Sequence, residues 1–225
     1  MRALILALLA VAARFANAQT VLDQSVLNNS TSGFSGSVLT SSRLLAQTFT
    51  AGVNGQLSQV NLQLTQSGIT NEITEDLVLT VYLTLNPSSP LGTPLTTVNI
   101  SPIAVPSNPE TLAGVLTSVD LSALNIQVNA GMLYSLVLGS AQPVPTPAFR
   151  HYTWLTPGGN IGPYAGGQAW SSNLPSDFTA LGARDFGFQT FVTITPVPEP
   201  SIAAFTVISL FAGWLTILRR SSRSP

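Results

Sequence analysis

The sequence contains no cysteine and no lysine, and only 8% of its 225 residues are charged. Without cysteine the chain forms no disulfide, so a domain built from it must be stabilised by its core. The low charge does not indicate disorder, because 45% of the residues are hydrophobic and the polar positions carry Thr, Ser, Asn and Gln. The composition therefore predicts a folded domain with a well-buried apolar interior.

The few charges in the middle of the chain, at 19–196, are mostly negative. Residues 19–196 carry three arginines and eight acidic side chains, which gives this stretch a formal net charge of −5. Proteins that bind nucleic acid use lysine and arginine to neutralise phosphates. The charge balance therefore excludes nucleic acid as a partner.

Catalytic motifs are also missing. The chain has a single histidine, His151, and it lacks a Gly-x-Ser-x-Gly elbow, a phosphate-binding loop and a His-Glu-x-x-His zinc helix. A glycosidase needs two placed carboxylates, and the surroundings of the acidic residues mark no such pair. The sequence predicts a protein that is not an enzyme, with no cofactor and with His151 as an ordinary strand residue.

The N-terminus has the organisation of a secretory signal peptide. Arg2 precedes an apolar stretch at 3–13, and the tripeptide Ala-Asn-Ala at 16–18 fits the small-residue pattern of a cleavage site. We therefore expect a signal peptide at 1–18 and a mature chain that begins at Gln19. The alternative is an N-terminal anchor that is not cleaved.

A second apolar run lies near the C-terminus, at 202–218, and contains no charged residue. As a helix it is about 25 Å long, at the short end of what crosses a bilayer. Prolines precede the run and arginines follow it, so the positive-inside tendency places the basic tail in the cytoplasm and the preceding domain outside. The alternative is a core helix of a soluble domain, but such a helix would have a polar face and this one has none.

The residues that flank this run resemble a known sorting signal. A Val-Pro-Glu-Pro-Ser segment, an apolar span and an Arg-Arg pair follow one another in the order of the PEP-CTERM signal of Gram-negative bacteria. The matching residues are Val197, Pro198, Glu199, Pro200, Ser201, Arg219 and Arg220. The resemblance implies a sorting signal at 197–225 that an exosortase, a membrane-embedded transpeptidase-like enzyme, processes during export. It also implies transient anchoring in the inner membrane, followed by delivery to the cell surface or to an extracellular matrix.

The middle of the chain, 19–196, shows the period-2 alternation of β-strands. In "LSQVNLQLTQ" an apolar face forms after a slip at Ser58-Gln59, and in "DLVLTVYLTL" every second residue is apolar. The predicted inward residues are Leu57, Val60, Leu62 and Leu64 in the first stretch, and Leu77, Leu79, Val81, Leu83 and Leu85 in the second. Further strands are expected at 46–50, 115–121, 132–139, 149–154 and 186–195.

Connections rich in Pro, Gly, Asn and Ser separate these strands, and no helical periodicity occurs before residue 202. This pattern predicts an all-β fold, an antiparallel β-sandwich or jelly roll, as the ectodomain at 19–196. The stretches "AQTFTAGVNGQLSQVNLQL" and "RDFGFQTFV" also resemble the sandwich ectodomains that are often joined to PEP-CTERM tails.

Two groups of residues are candidates for binding. Aromatic rings stack on the apolar faces of sugars, and four aromatic residues lie in or beside glycine-rich segments typical of binding loops: Tyr152, Trp154, Tyr164 and Trp170. The alternative is that the tryptophans fill the core. A weaker candidate is a calcium site at Glu72, Glu75 and Asp76, which could equally be a solvated turn.

Two functions therefore compete. The first is a noncatalytic surface or matrix protein that is sorted by its tail and associates with exopolysaccharide. The second is a carbohydrate-binding, lectin-like module in which the aromatic residues form the site.

Overall fold

A computed structural model describes residues 18–27, 35–40, 42–67, 73–106, 116–140, 151–157, 164–173 and 177–194. The predicted signal peptide lies outside these ranges except for its last residue. The sorting residues and the predicted membrane helix at 202–218 lie outside them entirely. Within them, no helix has the length and the apolar character needed to cross a membrane.

The described residues form fourteen β-strands and two short 3-10 turns. The strands are β1 Gln19–Val26, β2 Gly36–Leu39, β3 Leu44–Thr50, β4 Gly55–Leu62, β5 Leu64–Ser67, β6 Leu77–Leu83, β7 Thr93–Ile100, β8 Thr117–Asp120, β9 Gln127–Val128, β10 Leu133–Ser140, β11 His151–Leu155, β12 Ala169–Ser172, β13 Phe178–Ala180 and β14 Phe188–Ile194. The 3-10 turns are Pro102–Ala104 and Ser122–Leu124. The predicted all-β class is thus confirmed.

The strands are arranged in three sheets. A six-stranded sheet has the order β13-β12-β3-β10-β6-β7, and a five-stranded sheet has the order β1-β14-β4-β8, with β9 also paired to β4. A three-stranded sheet has the order β2-β11-β5. Strands with antiparallel registers include β3, β6 and β10 in the first sheet and β4, β8 and β14 in the second.

One apolar core unites the three sheets. It contains Leu57 of the five-stranded sheet, Leu79 and Leu136 of the six-stranded sheet and Trp154 of the three-stranded sheet, all with no exposed surface. A second, smaller cluster of Ala46, Val137 and Trp170 lies apart from it, on the opposite face of the six-stranded sheet. Residues Thr20–Ile194 form one compact unit around these cores.

The five-stranded and three-stranded sheets meet where three backbone segments come together. The Gln63 N–H donates to the Gly187 carbonyl at 2.9 Å, the Gly187 N–H donates to the Leu155 carbonyl at 2.8 Å, and the Leu155 N–H donates to the Gln63 carbonyl at 2.9 Å. The three residues therefore close a ring of hydrogen bonds, in which each residue donates once and accepts once. This ring lets the chain pass from β4 into β5 without leaving a buried backbone group unpaired.

Strand β1 lies at the edge of the five-stranded sheet, beside β14. The Gln24 N–H donates to the Thr190 hydroxyl at 3.1 Å, and the hydroxyl oxygens of Thr20 and Thr193 lie 2.9 Å apart. The first and the last strand of the compact unit are thus neighbours.

The strands with clear alternation are found where the sequence predicts them. Strands β3, β10 and β14 match the expected strands at 46–50, 132–139 and 186–195 within two or three residues at each end. The predicted slip at Ser58-Gln59 is a β-bulge, because Gln59 pairs with Phe191 while Leu57 pairs with Val192, the next residue of β14.

One predicted inward residue is on the surface. Leu77, Leu79 and Val81 are fully buried, but Leu85 is 74% exposed, so the prediction that it faces the core is wrong. The alternation ends because β6 stops at Leu83 and the chain turns at 86–89, where the Ser88 N–H donates to the Asn86 side chain. Thr84 is buried instead and donates its hydroxyl to the Pro90 carbonyl.

Candidate functional site

Two of the four predicted sugar-binding rings are core residues. Tyr152 and Trp154 have no exposed surface. Trp154 stacks on Phe186 with a centroid distance of 4.6 Å, and its indole N–H donates to the Gly187 carbonyl at 3.0 Å. The Tyr152 hydroxyl donates to the Glu75 carbonyl at 2.8 Å. Because protein atoms cover both rings, the structure assigns them to packing. The alternative interpretation of the sequence placed Trp154, but not Tyr152, in the core.

Tyr164 is half-buried and anchors a loop to the edge of the core. Its ring packs edge-on against Phe188 at 5.7 Å, and its hydroxyl donates to the Gln24 side chain at 2.6 Å. Burial, and to a smaller extent the Asp23 carboxylate, raises the pKa of Tyr164 to about 12. The hydroxyl is therefore a neutral hydrogen-bond donor at physiological pH.

Trp170 belongs to the second apolar cluster and is only 5% exposed. It lies on β12 with Ala46 as its cross-strand neighbour, and half-buried Phe178 and Tyr82 also contact the cluster. Its indole nitrogen is buried without a hydrogen-bond partner among the described residues. The structure thus distributes the four rings between two cores and does not bring them together on one surface.

The calcium candidates are described only in part. Glu72 lies outside the described residues, while Glu75 and Asp76 immediately precede β6. Burial of the Tyr152 hydroxyl, together with the carboxylates of Asp76 and Glu75, raises the pKa of Tyr152. Over the described ranges, no three His, Asp or Glu side chains are grouped so that they could hold a metal ion. Calcium binding stays a prediction.

The buried carboxylate of Asp185 is held by hydrogen bonds. One of its oxygens accepts from the Gln47 amide at 3.0 Å, and the other accepts from the Tyr164 N–H at 2.7 Å. The Gln47 amide oxygen accepts in turn from the Phe186 N–H at 2.8 Å. Both carboxylate oxygens are thus used to fix β3 to the loops at 164 and 186, which is a structural role. His151, on β11, has its pKa lowered by burial.

A chain of hydrogen-bonded polar side chains crosses the outer face of the five-stranded sheet. Gln59 donates to the Asn61 oxygen at 2.7 Å, Asn61 donates to the Gln189 oxygen at 3.1 Å, and Gln189 donates to the Ser25 hydroxyl at 3.3 Å. The Ser118 hydroxyl also donates to the Asn61 oxygen, at 2.9 Å. These five side chains, from strands β1, β14, β4 and β8, form a continuous amide row.

The strand registers explain why these side chains meet. Asn61 pairs directly with Gln189 on one side and with Ser118 on the other. Gln59 lies two residues before Asn61 and therefore faces the same way. Their neighbours Val60 and Leu62 point into the core and have no exposed surface. The same alternation that buries the apolar residues thus presents the amides outside.

Phe191 lies on the same outer face, next to the amide row. It pairs directly with Gln59 and is two residues beyond Gln189, so amide side chains flank it on two sides. The ring is half-buried. It belongs to neither of the two apolar clusters of the described residues. Core packing therefore does not account for an aromatic residue at this position.

The β-bulge falls at this point of the sheet. The extra residue is Ser58, whose hydroxyl donates to the Phe191 carbonyl at 3.2 Å. A bulge increases the local twist and redirects neighbouring side chains, and bulges are over-represented beside functional sites. It separates the Gln59–Phe191 pair from the regular ladder that follows.

Sequence reasoning does not find this face, although part of its signal is present. In "LSQVNLQLTQ" the amides alternate with apolar residues, and in "FQTFV" a glutamine and a phenylalanine share the outer side. The first pattern by itself predicts only the wet side of a strand. The two segments are adjacent because β4 pairs with β14, which brings together residues about 130 positions apart in the sequence.

Comparison with known proteins adds no family assignment. No known protein family matches this chain, and no curated protein matches it in sequence.

Proposed function

We propose that this protein is an exported, noncatalytic component of the cell surface or extracellular matrix, delivered by the C-terminal sorting signal. The observation that carries the proposal is the extent of the folded unit. Residues Thr20–Ile194 are compact by themselves, and β1 starts at Gln19, directly after the expected cleavage site. A domain that occupies the interval between two targeting segments is the arrangement expected of an exported cargo.

We also propose that this unit is a β-sandwich. The five-stranded and six-stranded sheets both contribute side chains to the main core, as two sheets that pack face to face would. Such a fold suits an export substrate without disulfides, because its stability comes from the apolar interior alone.

The sorting step is proposed to depend on Glu199. Prolines flank this residue on both sides, and proline favours an extended backbone of the kind that an enzyme groove would accept as a substrate strand. The apolar run at 202–218 would hold that strand at the outer face of the inner membrane, and Arg219 and Arg220 would stop further translocation. An exosortase-type enzyme would then remove the helix and release the domain.

The experiment is the intact mass of the protein released at the surface of its native host. Processing predicts a species that lacks Ile202–Pro225 and begins at Gln19. Glu199→Ala should leave the full tail on the protein and retain it in the inner membrane. The matched control Asp177→Ala removes an exposed carboxylate of the domain and should not change release.

A released species that still carries the tail would refute processing and would leave a plain membrane anchor. Release of the Glu199→Ala variant at the normal level would show that this motif is not what is recognised.

A further inference from the structure

We propose that the amide row and Phe191 form a binding face for a neutral polysaccharide. The inference rests on the proposed function only for where the ligand is found, in the extracellular matrix. The site lies on the outer face of the five-stranded sheet, and it includes none of the four aromatic residues that the sequence suggested.

The amide row has unused hydrogen-bonding capacity. A primary amide has two N–H donors and a carbonyl oxygen with two lone pairs. The row uses one N–H of Gln59 and one of Gln189, in a chain that runs in a single direction from Gln59 to Ser25. The described contacts of Gln59 and Gln189 leave each a second N–H, and the Gln59 oxygen accepts in none of them. A sugar presents adjacent hydroxyls that both donate and accept, and planar amides are matched to that pattern.

The amide row is also preorganised. Each amide is fixed by the next, and the central Asn61 is only 7% exposed because its neighbours cover it. Fixed side chains lose little conformational freedom when a ligand binds, which favours affinity. The row crosses four strands and so extends about 14 Å, which is longer than one sugar ring and suits a chain of sugars.

Phe191 adds an apolar surface beside the amides. A half-buried ring outside both cores gives the face one apolar platform, flanked by Gln59 and Gln189. The apolar face of a pyranose ring stacks on such a platform while its hydroxyls reach the amides beside it. A polar partner without an apolar face would leave the ring unused.

The charge of the face favours a neutral ligand. Among the described residues, the charged side chain that pairs with the row is Asp120, opposite Gln59. One of its oxygens accepts from the Ser122 N–H at 2.9 Å, and hydrogen bonds from Ser122 lower the pKa of Asp120, so it stays ionised at neutral pH. The Asp120 carboxylate beside Gln59 would repel a polyanion. The chain also has no lysine that could attract one.

The test is affinity electrophoresis of the full chain, purified in a mild nonionic detergent. Native gels would contain dextran, galactomannan or xyloglucan as neutral probes, and alginate as the anionic probe. We expect at least one neutral polysaccharide to retard the protein. Phe191→Ala should weaken that binding about tenfold, as the loss of a stacking contact implies.

The controls separate binding from folding. Phe178→Ala removes a half-buried phenylalanine from the six-stranded sheet and should leave retardation unchanged. Phe191→Trp keeps a flat ring and should retain binding. Because Phe191→Ala could lower stability, the variant pair Gln59→Ala and Gln189→Ala provides a second route, and circular dichroism checks the fold of each protein.

Retardation that is lost in Phe191→Ala or in the glutamine variants, and kept in Phe178→Ala, would support the proposal. No retardation by any neutral probe, retardation by alginate alone, or retardation that none of the amide-face variants changes would overturn it. An uncleaved tail in the mass experiment would remove the proposed processing and leave this result untouched, so the two proposals fail separately.

Discussion

Gly187 lies in the ring of backbone hydrogen bonds where the five-stranded and three-stranded sheets meet. A Cβ atom at this residue would overlap the Gln63 amide oxygen and lie 2.8 Å from the Gln63 Cβ. Gly187→Ala should therefore destabilise the protein by about 3 kcal/mol, at the upper end of what overpacking a core costs. Urea unfolding followed by circular dichroism measures this.

The matched control is Gly182→Ala. Gly182 has space around it but a φ of 69°, so alanine there should cost only about 1 kcal/mol through backbone strain. Equal losses in the two variants would mean that the junction at Gly187 is not closely packed.

Tyr164 gives the protein a sensitivity to alkaline pH. Its pKa is raised to about 12 in the folded state, whereas an unfolded tyrosine titrates near 10. Between these values the unfolded chain releases a proton that the folded chain keeps, so stability is fully present below about pH 10 and falls as the pH rises towards about 12.

Tyr164→Phe removes this titration, together with the hydrogen bond to Gln24. The variant should be less stable than the parent at pH 7, and the difference should shrink between about pH 10 and about pH 12. Urea unfolding at several pH values measures it. Parallel loss of stability in both proteins across that interval would show that Tyr164 is not responsible.

At the scale of the element, strand β6 shows how sharply its two faces differ. Val81 has no exposed surface, whereas the adjacent Thr80 points outward and its hydroxyl lies 3.1 Å from that of Thr97. Val81→Asp would bury an unpaired charge and should cost more than about 4 kcal/mol, enough to unfold the domain. Thr80→Asp should cost less than about 1 kcal/mol.

Thermal unfolding of the two variants provides the comparison. If Thr80→Asp were as damaging as Val81→Asp, Val81 would not be the core-facing residue of this pair and the orientation of β6 would be reversed.

Strands of this kind can be predicted from the sequence because their alternation is local. Strand β7 is not predicted because Pro94 lies in it and three of its eight residues are threonine, which makes its start resemble a connection. Strands β1 and β12 are not predicted because their apolar residues do not alternate regularly with polar ones. In each case the pairing with a distant strand decides the structure.

The same reason explains why the candidate face could not be predicted. Ser25, Asn61, Ser118 and Gln189 come from four separate parts of the chain, and only the order of the strands in the sheet brings them into one row. The core could be predicted better than the surface, since alternation of apolar and polar residues indicates which side chains are buried. The amides give no such signal until their neighbours are known.

At the scale of the whole molecule, β1 completes the five-stranded sheet. It covers the edge of β14 and contributes Val26 to the core. A chain that lacks Gln19–Val26 should be less stable and should aggregate, because the uncovered edge of β14 offers unpaired backbone groups to other chains. A chain that begins at Gln19 should keep its fold.

Urea unfolding and size-exclusion chromatography would compare the two truncations. Equal stability and a monomeric state for both would show that β1 contributes nothing to the folded domain.

The contact between Thr20 and Thr193 means that the two ends of the compact unit lie next to each other. A short glycine-serine linker could join Ile194 to Gln19, and new termini could be opened at the exposed turn between Pro87 and Ser88. Domains with adjacent ends and exposed turns tolerate such circular permutation. The order in which the strands are synthesised is then separable from the structure that they form. The amide face, assembled from β1, β4, β8 and β14, would be rebuilt unchanged in the permuted protein.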